Sequence, residues 1–151
     1  MADIGMLAGQ LGQSRLDLLE VLVRVPDDAW GAGEWGVREV LGHLAAWDTV
    51  AAATVNAVRE GQPTPPVVMD DDAFNRAATE EVAALSPQQV MVRFHMARAQ
   101  VVAAVSRAGD LGEFQFPWNA VGSLERMVRG MVSHESEHVA ELRARYGEVT
   151  G

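Results

Sequence analysis

Cysteine and lysine are both absent from this 151-residue chain. Without cysteine the chain forms no disulfide, offers no thiolate to a metal ion and has no cysteine nucleophile. A metal ion must therefore be held by His, Asp or Glu side chains. The 12 basic residues, all arginine, are outnumbered by 21 acidic ones, and the formal net charge is −9. Because nucleic-acid binding depends on a basic patch and these arginines are scattered, the composition argues against DNA or RNA as a partner.

Long apolar runs are absent as well. No stretch approaches the roughly 18 apolar residues of a membrane-spanning helix, and the first residues lack the basic start and apolar centre of a secretion signal. We therefore expect no membrane insertion and a cytoplasmic location. A length of 151 residues suits one ordinary domain, so we expect residues 1–151 to form a single domain.

Strand-like alternation is scarce, and the apolar residues recur instead at helical spacing, which predicts an all-α fold built as a four-helix bundle. Ser86 begins a capping box and Ser123 is a second cap, whereas Gly61 and Gly147 mark helix ends. The four long helices are expected over residues 3–24, 37–61, 87–108 and 124–146.

A long crossover joins the second and third long helices. Within it, residues 70–85 predict a short helix, with Asp70, Asp71 and Asp72 beside the exposed amides of its first turn. A crossover of this length permits an up-down-down-up order of the four long helices.

Two acidic residues interrupt the apolar faces of the second and fourth long helices. Asp48 falls within the stripe of the second helix, and Glu135 falls within that of the fourth. Burial of an unpaired charge is expensive, so such residues usually have a reason to be there. The stripes consist of Val37, Leu41, Leu44, Ala51 and Val55 in the second helix and Leu124, Val128, Met131, Val139 and Leu142 in the fourth.

Three histidines lie at the edges of the same two stripes. His134 and His138 are one turn apart on the fourth helix, and His43 lies on the second. A histidine pair at this spacing can hold one metal ion, and a third imidazole completes a site with an open coordination position. We expect these three residues to bind one divalent ion. Asp48 and Glu135 would then orient the ligands or transfer protons, with the cation compensating their charge.

Each of these residues also has a simpler interpretation. A single histidine is often a hydrogen-bonded packing residue, and histidine pairs also occur on solvated helix faces. His95 lies toward the polar side of the third helix and is expected at the surface. Trp47, one turn from His43, is expected to line a pocket next to the ion. The acidic run at the start of the short helix is most simply a solvated helix start.

Residues His134 to His138 also match the H-E-x-x-H motif of zinc proteases, in which the glutamate is the general base. The short segment that follows offers only Glu141 and Glu148 as a further ligand, and a peptide-binding sheet edge is not expected. We interpret the match as coincidental, although the chemistry of a metal ion beside a carboxylate still applies.

Three segments of the chain resemble the DinB-like superfamily, most closely its thiol-dependent transferases and ClbS/DfsB-type proteins. They are WGVREVLGHLAAWD (Trp35–Asp48), DDAFN (Asp71–Asn75) and HESEHVAEL (His134–Leu142). The resemblance extends over nearly the whole chain. It implies an up-down-down-up bundle, frequently dimeric, in which His43, His134 and His138 hold zinc, nickel or a similar ion. Asn75 is expected to line the pocket together with Trp47.

The resemblance also implies a function. Family members include metal-dependent transferases that use bacillithiol or mycothiol, and a mycothiol-dependent maleylpyruvate isomerase. The leading hypothesis is a metal-dependent transfer of such a thiol to a small electrophile, with the cation lowering the pKa of the thiol and Glu135 or Asp48 accepting its proton. Two alternatives stay open: a metal-dependent hydrolase of small molecules, and a non-catalytic bundle that sequesters a small molecule or toxin.

Overall fold

The computed structural model describes residues 3–30 and 36–146. Residues 31–35, which include Trp35, and the predicted helix end at Gly147 lie outside the described residues. The prediction of an all-α fold is confirmed, and no helix of the described chain combines the length and apolarity that a bilayer crossing requires. The elements are α1 (Ile4–Leu22), a 3₁₀ helix (Asp27–Trp30), α2 (Val37–Glu60), α3 (Asp71–Val82), α4 (Pro87–Ser106), β1 (Phe114–Gln115), β2 (Val121–Gly122) and α5 (Leu124–Tyr146).

The helix ends follow the predicted capping chemistry. At the start of α4 the backbone nitrogen of Gln89 donates to Oγ of Ser86 at 3.1 Å, and the backbone nitrogen of Ser86 donates to Oε1 of Gln89 at 2.9 Å. Ser123 accepts a hydrogen bond from the backbone nitrogen of Arg126 at 3.3 Å, at the start of α5. Gly61 ends α2 with a φ of 68°, a left-handed conformation that glycine adopts without strain.

The crossover carries α3, the predicted short helix, with Asp70 as its cap. Helix α3 packs against α2. At this contact the side chain of Val82 lies directly over Gly42, where an added Cβ would come within 2.6 Å of Cγ2 of Val82. The close approach of the two helices therefore depends on the missing side chain at Gly42.

A short hairpin between α4 and α5 was not predicted. Its strands β1 and β2 contain two residues each, too few to show the alternation by which strands are recognised in a sequence. The side-chain amide of Gln115 donates to the carbonyl of Trp118 at 3.1 Å, and the backbone nitrogen of Val68 donates to the carbonyl of Pro117 at 2.8 Å. The crossover is thus hydrogen-bonded to the loop of the hairpin, which carries Trp118.

The four long helices, α1, α2, α4 and α5, enclose a core that is divided into two apolar clusters. One cluster contains Leu11 and Met127, and the other contains Leu41 and Phe94. All ten residues of the two predicted stripes are buried. Between the clusters every long helix contributes buried polar side chains, namely Ser14 and Arg15 on α1, Asp48 on α2, Arg98 on α4 and Glu135 on α5.

Replacement of Gly42 by alanine is expected to destabilise the protein by about 1–3 kcal/mol, because the new methyl group overlaps Val82 and α3 has to shift. The matched control is Gly9→Ala in α1, where an added Cβ meets no atom within 4 Å. Alanine favours a helix over glycine by about 0.8–1 kcal/mol, so the control variant should be at least as stable as the wild type. Urea denaturation measures both, and equal stabilities of the two variants would contradict the expectation.

Candidate metal centre

Three histidine side chains from two helices converge on one point. His43 comes from α2, and His134 and His138 come from consecutive turns of α5. Nε2 of His134 lies 3.1 Å from Nε2 of His43 and 3.3 Å from Nε2 of His138. The potential ligand atoms of the three residues all lie within 4.8 Å of one another. The structure thus brings together the three residues that the sequence predicts as ligands.

Two of the three nitrogen–nitrogen distances fit a shared cation. Zinc–nitrogen bonds of 2.0–2.1 Å at tetrahedral angles place two ligand nitrogens about 3.3 Å apart, which is close to the 3.1 and 3.3 Å found here. Nε2 of His134 faces two other ring nitrogens, and one proton can bridge to only one of them. A cation at the point of convergence satisfies all three lone pairs, and a set of imidazoles suits zinc and nickel.

Burial favours the neutral form of two of the three histidines, His43 and His134. It lowers the pKa of His43 to about 4, an effect that His134 and His138 reinforce and the hydrogen bond with Asn75 opposes. Burial also lowers the pKa of His134, and the neighbouring His138 adds to that shift. Both rings are therefore neutral near pH 7, the form in which an imidazole offers a lone pair to a metal.

Asn75 on α3 sets the orientation of His43. Nδ1 of His43 donates to Oδ1 of Asn75 at 2.5 Å, and Nε1 of Trp47 donates to the same oxygen at 3.1 Å. An amide oxygen only accepts hydrogen bonds, so the proton of His43 is on Nδ1 and its Nε2 lone pair is turned toward the other histidines. The sequence predicts Trp47 and Asn75 at a pocket, but it does not predict their shared contact, through the amide oxygen of Asn75, with the histidine group.

The two acids in the apolar stripes are paired with arginines. Nε of Arg98 lies 2.9 Å from Asp48, and Nη2 of Arg98 lies 2.5 Å from Glu135. Nη2 of Arg15 lies 3.1 Å from Asp48 and 3.5 Å from Glu135. Ser14 donates its hydroxyl proton to Oε1 of Glu135 at 3.0 Å. The expected compensation of both acids by a metal ion is therefore replaced by pairing with two arginines. We call these five residues the buried ion cluster.

The buried ion cluster holds two cations and two anions, so it is neutral as a whole. Burial raises the pKa of Asp48 against the opposing effect of Arg98 and Arg15. Burial by itself lowers the pKa of Arg98, but the carboxylates of Asp48 and Glu135 outweigh it and the pKa is raised. Removal of any one charged member leaves a net charge in the core.

The two arginines were missed although the sequence contains a signal for them. Arg15 lies between Leu11 and Leu18 in α1, and Arg98 lies between Phe94 and Val101 in α4, so each interrupts an apolar face. A charged residue within an apolar helix face is a signal of buried pairing whether it is acidic, as at Asp48 and Glu135, or basic. Buried acids require cationic partners, and these positions supply them.

The buried ion cluster also bears on the H-E-x-x-H match. In a zinc protease the glutamate is free to activate water. Here one oxygen of Glu135 accepts from Ser14, and the other accepts from Arg98. These contacts support the interpretation of the match as coincidental.

Two cavities adjoin the histidines. The first, of about 290 Å³, is called the aromatic chamber below; its wall includes His43, Trp47, Asn75, Trp118, Met131 and His134. The second, of about 360 Å³, is called the polar cleft; its wall includes His43, His134, Glu137, His138, Glu141 and Arg145. Asp48 and Glu135 also reach the wall of the aromatic chamber. A ligand can therefore approach the histidines from more than one side.

The remaining candidate residues take the simpler roles considered for them. His95 is exposed on α4 and is not part of the histidine group. Asp70 accepts a hydrogen bond from the backbone nitrogen of Ala73 at 3.0 Å and so caps α3. Asp71 follows it and reaches the wall of the aromatic chamber.

A sequence profile of the DinB superfamily matches residues 10–142. The chain belongs to the DinB superfamily. A search among curated proteins found no match. Among solved structures, a histidine-to-alanine variant of the mycothiol-dependent maleylpyruvate isomerase is similar, with a TM-score of 0.72 at 14% sequence identity over 94% of this chain. This chain spans 63% of the length of that structure. At this identity the likeness shows a shared fold.

Replacement of Arg98 by methionine is expected to destabilise the protein by about 3–5 kcal/mol, because Asp48 and Glu135 lose a buried partner. The matched control is Arg93→Met on the same helix, whose ion pair with Glu81 at 3.2 Å is exposed. Exposed pairs contribute at most about 1 kcal/mol, so the control should change little. Urea denaturation measures both variants; similar losses in the two would contradict a special role for the buried ion cluster.

Replacement of Asn75 by leucine is expected to weaken metal binding by about 10–100-fold, because His43 loses the acceptor that orients its ring. The control is Asn56→Leu on α2, since Asn56 accepts its hydrogen bond from Arg59, away from the histidines. Competition with a chromogenic chelator measures the affinity of each variant for zinc. Unchanged affinity in the Asn75 variant would show that this contact does not support the site.

Proposed function

We propose that this DinB-superfamily protein is a divalent-metal-dependent transferase that joins a low-molecular-weight thiol, of the mycothiol or bacillithiol type, to a small electrophile. The observation that carries the proposal is the convergence of three Nε2 atoms, two of which belong to residues in the wall of the aromatic chamber. Membership of the superfamily supports it, and so does a fold shared with a protein that is named as mycothiol-dependent.

The proposed ligands are His43, His134 and His138, and zinc or nickel is the proposed ion. Three protein ligands leave a coordination position open for a small molecule. A divalent ion held there lowers the pKa of a coordinated thiol and so supplies a thiolate at neutral pH. Asn75 maintains the direction of the His43 lone pair, and Trp47 shares the same amide oxygen.

The role of Asp48 and Glu135 in proton transfer stays a prediction. Arg15 and Arg98 pair with both acids, and an ionised carboxylate is the form able to accept a proton from a thiol. Both carboxylates reach the chamber wall, and Glu135 directly follows His134 in the chain. Their first proposed task is to hold the ligand-bearing helices in place through the buried ion cluster.

The proposal keeps the up-down-down-up order of the long helices. Along α1 and α5, residues of the apolar cluster around Leu11 come before the buried ion cluster, and residues of the cluster around Leu41 come after it. Along α2 and α4 the order is reversed. This pattern supports two helices in one direction and two in the other. A single domain over residues 1–151, a homodimer and a cytoplasmic location also remain part of the proposal.

Protein purified without a histidine tag is expected to carry one divalent ion per chain, and His138→Ala is expected to lose it. His95→Ala is the control, because His95 is an exposed histidine outside the group. Mass spectrometry of the metal content measures all three proteins. Equal metal in the wild type and in His138→Ala would refute the proposal.

The same metal-loaded protein is expected to accelerate the conjugation of mycothiol or bacillithiol to chlorodinitrobenzene, followed by absorbance. Activity should require both the ion and the thiol, and it should disappear in His134→Ala but persist in His95→Ala. Turnover of an ester without any thiol would instead support the metal-dependent hydrolase. Ligand binding without turnover and without metal would support the sequestering bundle.

A further inference from the structure

The aromatic chamber is lined by indole rings that stand at an angle to each other. The ring centres of Trp47 and Trp118 are 6.2 Å apart, with 71° between the ring planes. Phe74 packs against Trp47 with its ring centre 4.4 Å away. Leu44 and Met131 add apolar surface to the same wall. Such a wall binds flat apolar molecules through surface burial and ring contacts.

The rings are held in place before any ligand arrives. Trp47 donates from Nε1 to Asn75, and the carbonyl of Trp118 accepts from the side-chain amide of Gln115 at 3.1 Å. Gly130 on α5 lies beside the ring of Trp118, where an added Cβ would be 3.3 Å from Cζ2. A preorganised wall of this kind loses little conformational freedom when it binds a ligand.

The chamber offers no spare positive charge within the described part of the chain. The one arginine in its wall is Arg98, which already donates to Asp48, to Glu135 and, at 2.7 Å, to the carbonyl of Leu11. Asp71 adds a negative charge to the wall. An anionic group placed in the chamber would therefore lose its water without gaining a cationic partner from the protein, away from any bound ion.

The volume of the chamber limits the size of its occupant. A cavity of about 150 Å³ lined by apolar side chains holds one benzene ring. The chamber, at about 290 Å³, is roughly twice as large. It therefore has room for about two fused aromatic rings. The wall of the polar cleft, by contrast, includes Glu137, Glu141 and Arg145.

We propose that the aromatic chamber binds the uncharged aromatic body of the electrophilic substrate, in preference to a carboxylate-bearing molecule of the same size. The role of this molecule as a substrate rests on the proposed transferase function. Binding of an uncharged aromatic molecule does not rest on it, because the rings of Trp47 and Trp118 are present whether or not chemistry takes place. Trp118, which approaches from the hairpin, is the residue that determines this preference for a flat ring.

Isothermal titration calorimetry with two probes of one shape tests the proposal: naphthalenemethanol, which is uncharged, and naphthoate, which is anionic. Wild-type protein should bind naphthalenemethanol, and Trp118→Ala should weaken that binding by about tenfold or more, equivalent to about 1.4 kcal/mol. Trp118→Phe, which keeps a ring, should retain most of the affinity. Val121→Ala is the matched control, because Val121 is 53% exposed on the same hairpin and lies outside the chamber wall.

The charge preference is measured in His138→Ala, where a bound ion no longer contributes. His138 does not line the chamber, so this variant should lose the metal but keep naphthalenemethanol binding at least tenfold tighter than naphthoate binding. Equal or tighter binding of naphthoate in this variant would overturn the proposal, as would unchanged naphthalenemethanol binding in Trp118→Ala. The circular dichroism spectrum of each variant reports its folding. Failure of metal binding or thiol transfer in the wild type would count against the proposed function alone.

Discussion

The buried ion cluster is the constraint on which the rest of the molecule depends. Apolar side chains tolerate some sliding of one helix along another, because burial has no direction. Charged groups in the core do not, since each must meet its partner at hydrogen-bond distance. Arg98 binds acids on α2 and α5, and Arg15 on α1 binds the same two acids. One layer of contacts therefore fixes the axial position of all four long helices, and with it the meeting of His43 and His134.

This arrangement separates two tasks that the candidate metal centre needs. The buried ion cluster determines where the two helices that carry the histidines lie, and Asn75 determines how the ring of His43 is turned. Neither task uses an atom that would coordinate the ion, and the contact with Asn75 leaves the Nε2 lone pair of His43 available. The aromatic chamber is a third part, built by residues of α2, α5 and the hairpin.

The sequence predicts the scaffold and the ligands better than it predicts their partners. Helices, caps and apolar stripes depend on local spacing, and so does the pair His134 and His138; all of these are visible within a few turns of chain. Contacts between distant segments have no such local signature. Arg15 meets Glu135 across most of the chain length, and Trp118 reaches the chamber from a hairpin whose strands have two residues each. The acids at 48 and 135 were visible as anomalies, but the arginines that explain them lie on other helices.

The shared amide oxygen of Asn75 has a thermodynamic consequence. It accepts hydrogen bonds from His43, in the candidate metal centre, and from Trp47, in the wall of the aromatic chamber. A change at either donor alters the competition for the same acceptor. The two proposed binding events would then be linked, and linkage is reciprocal. The factor by which a bound ion changes the affinity of the chamber for its ligand would equal the factor by which that ligand changes the affinity for the ion. Helix α3, a segment of the crossover, would be the part of the fold that couples the binding of the metal ion to the binding of the organic ligand.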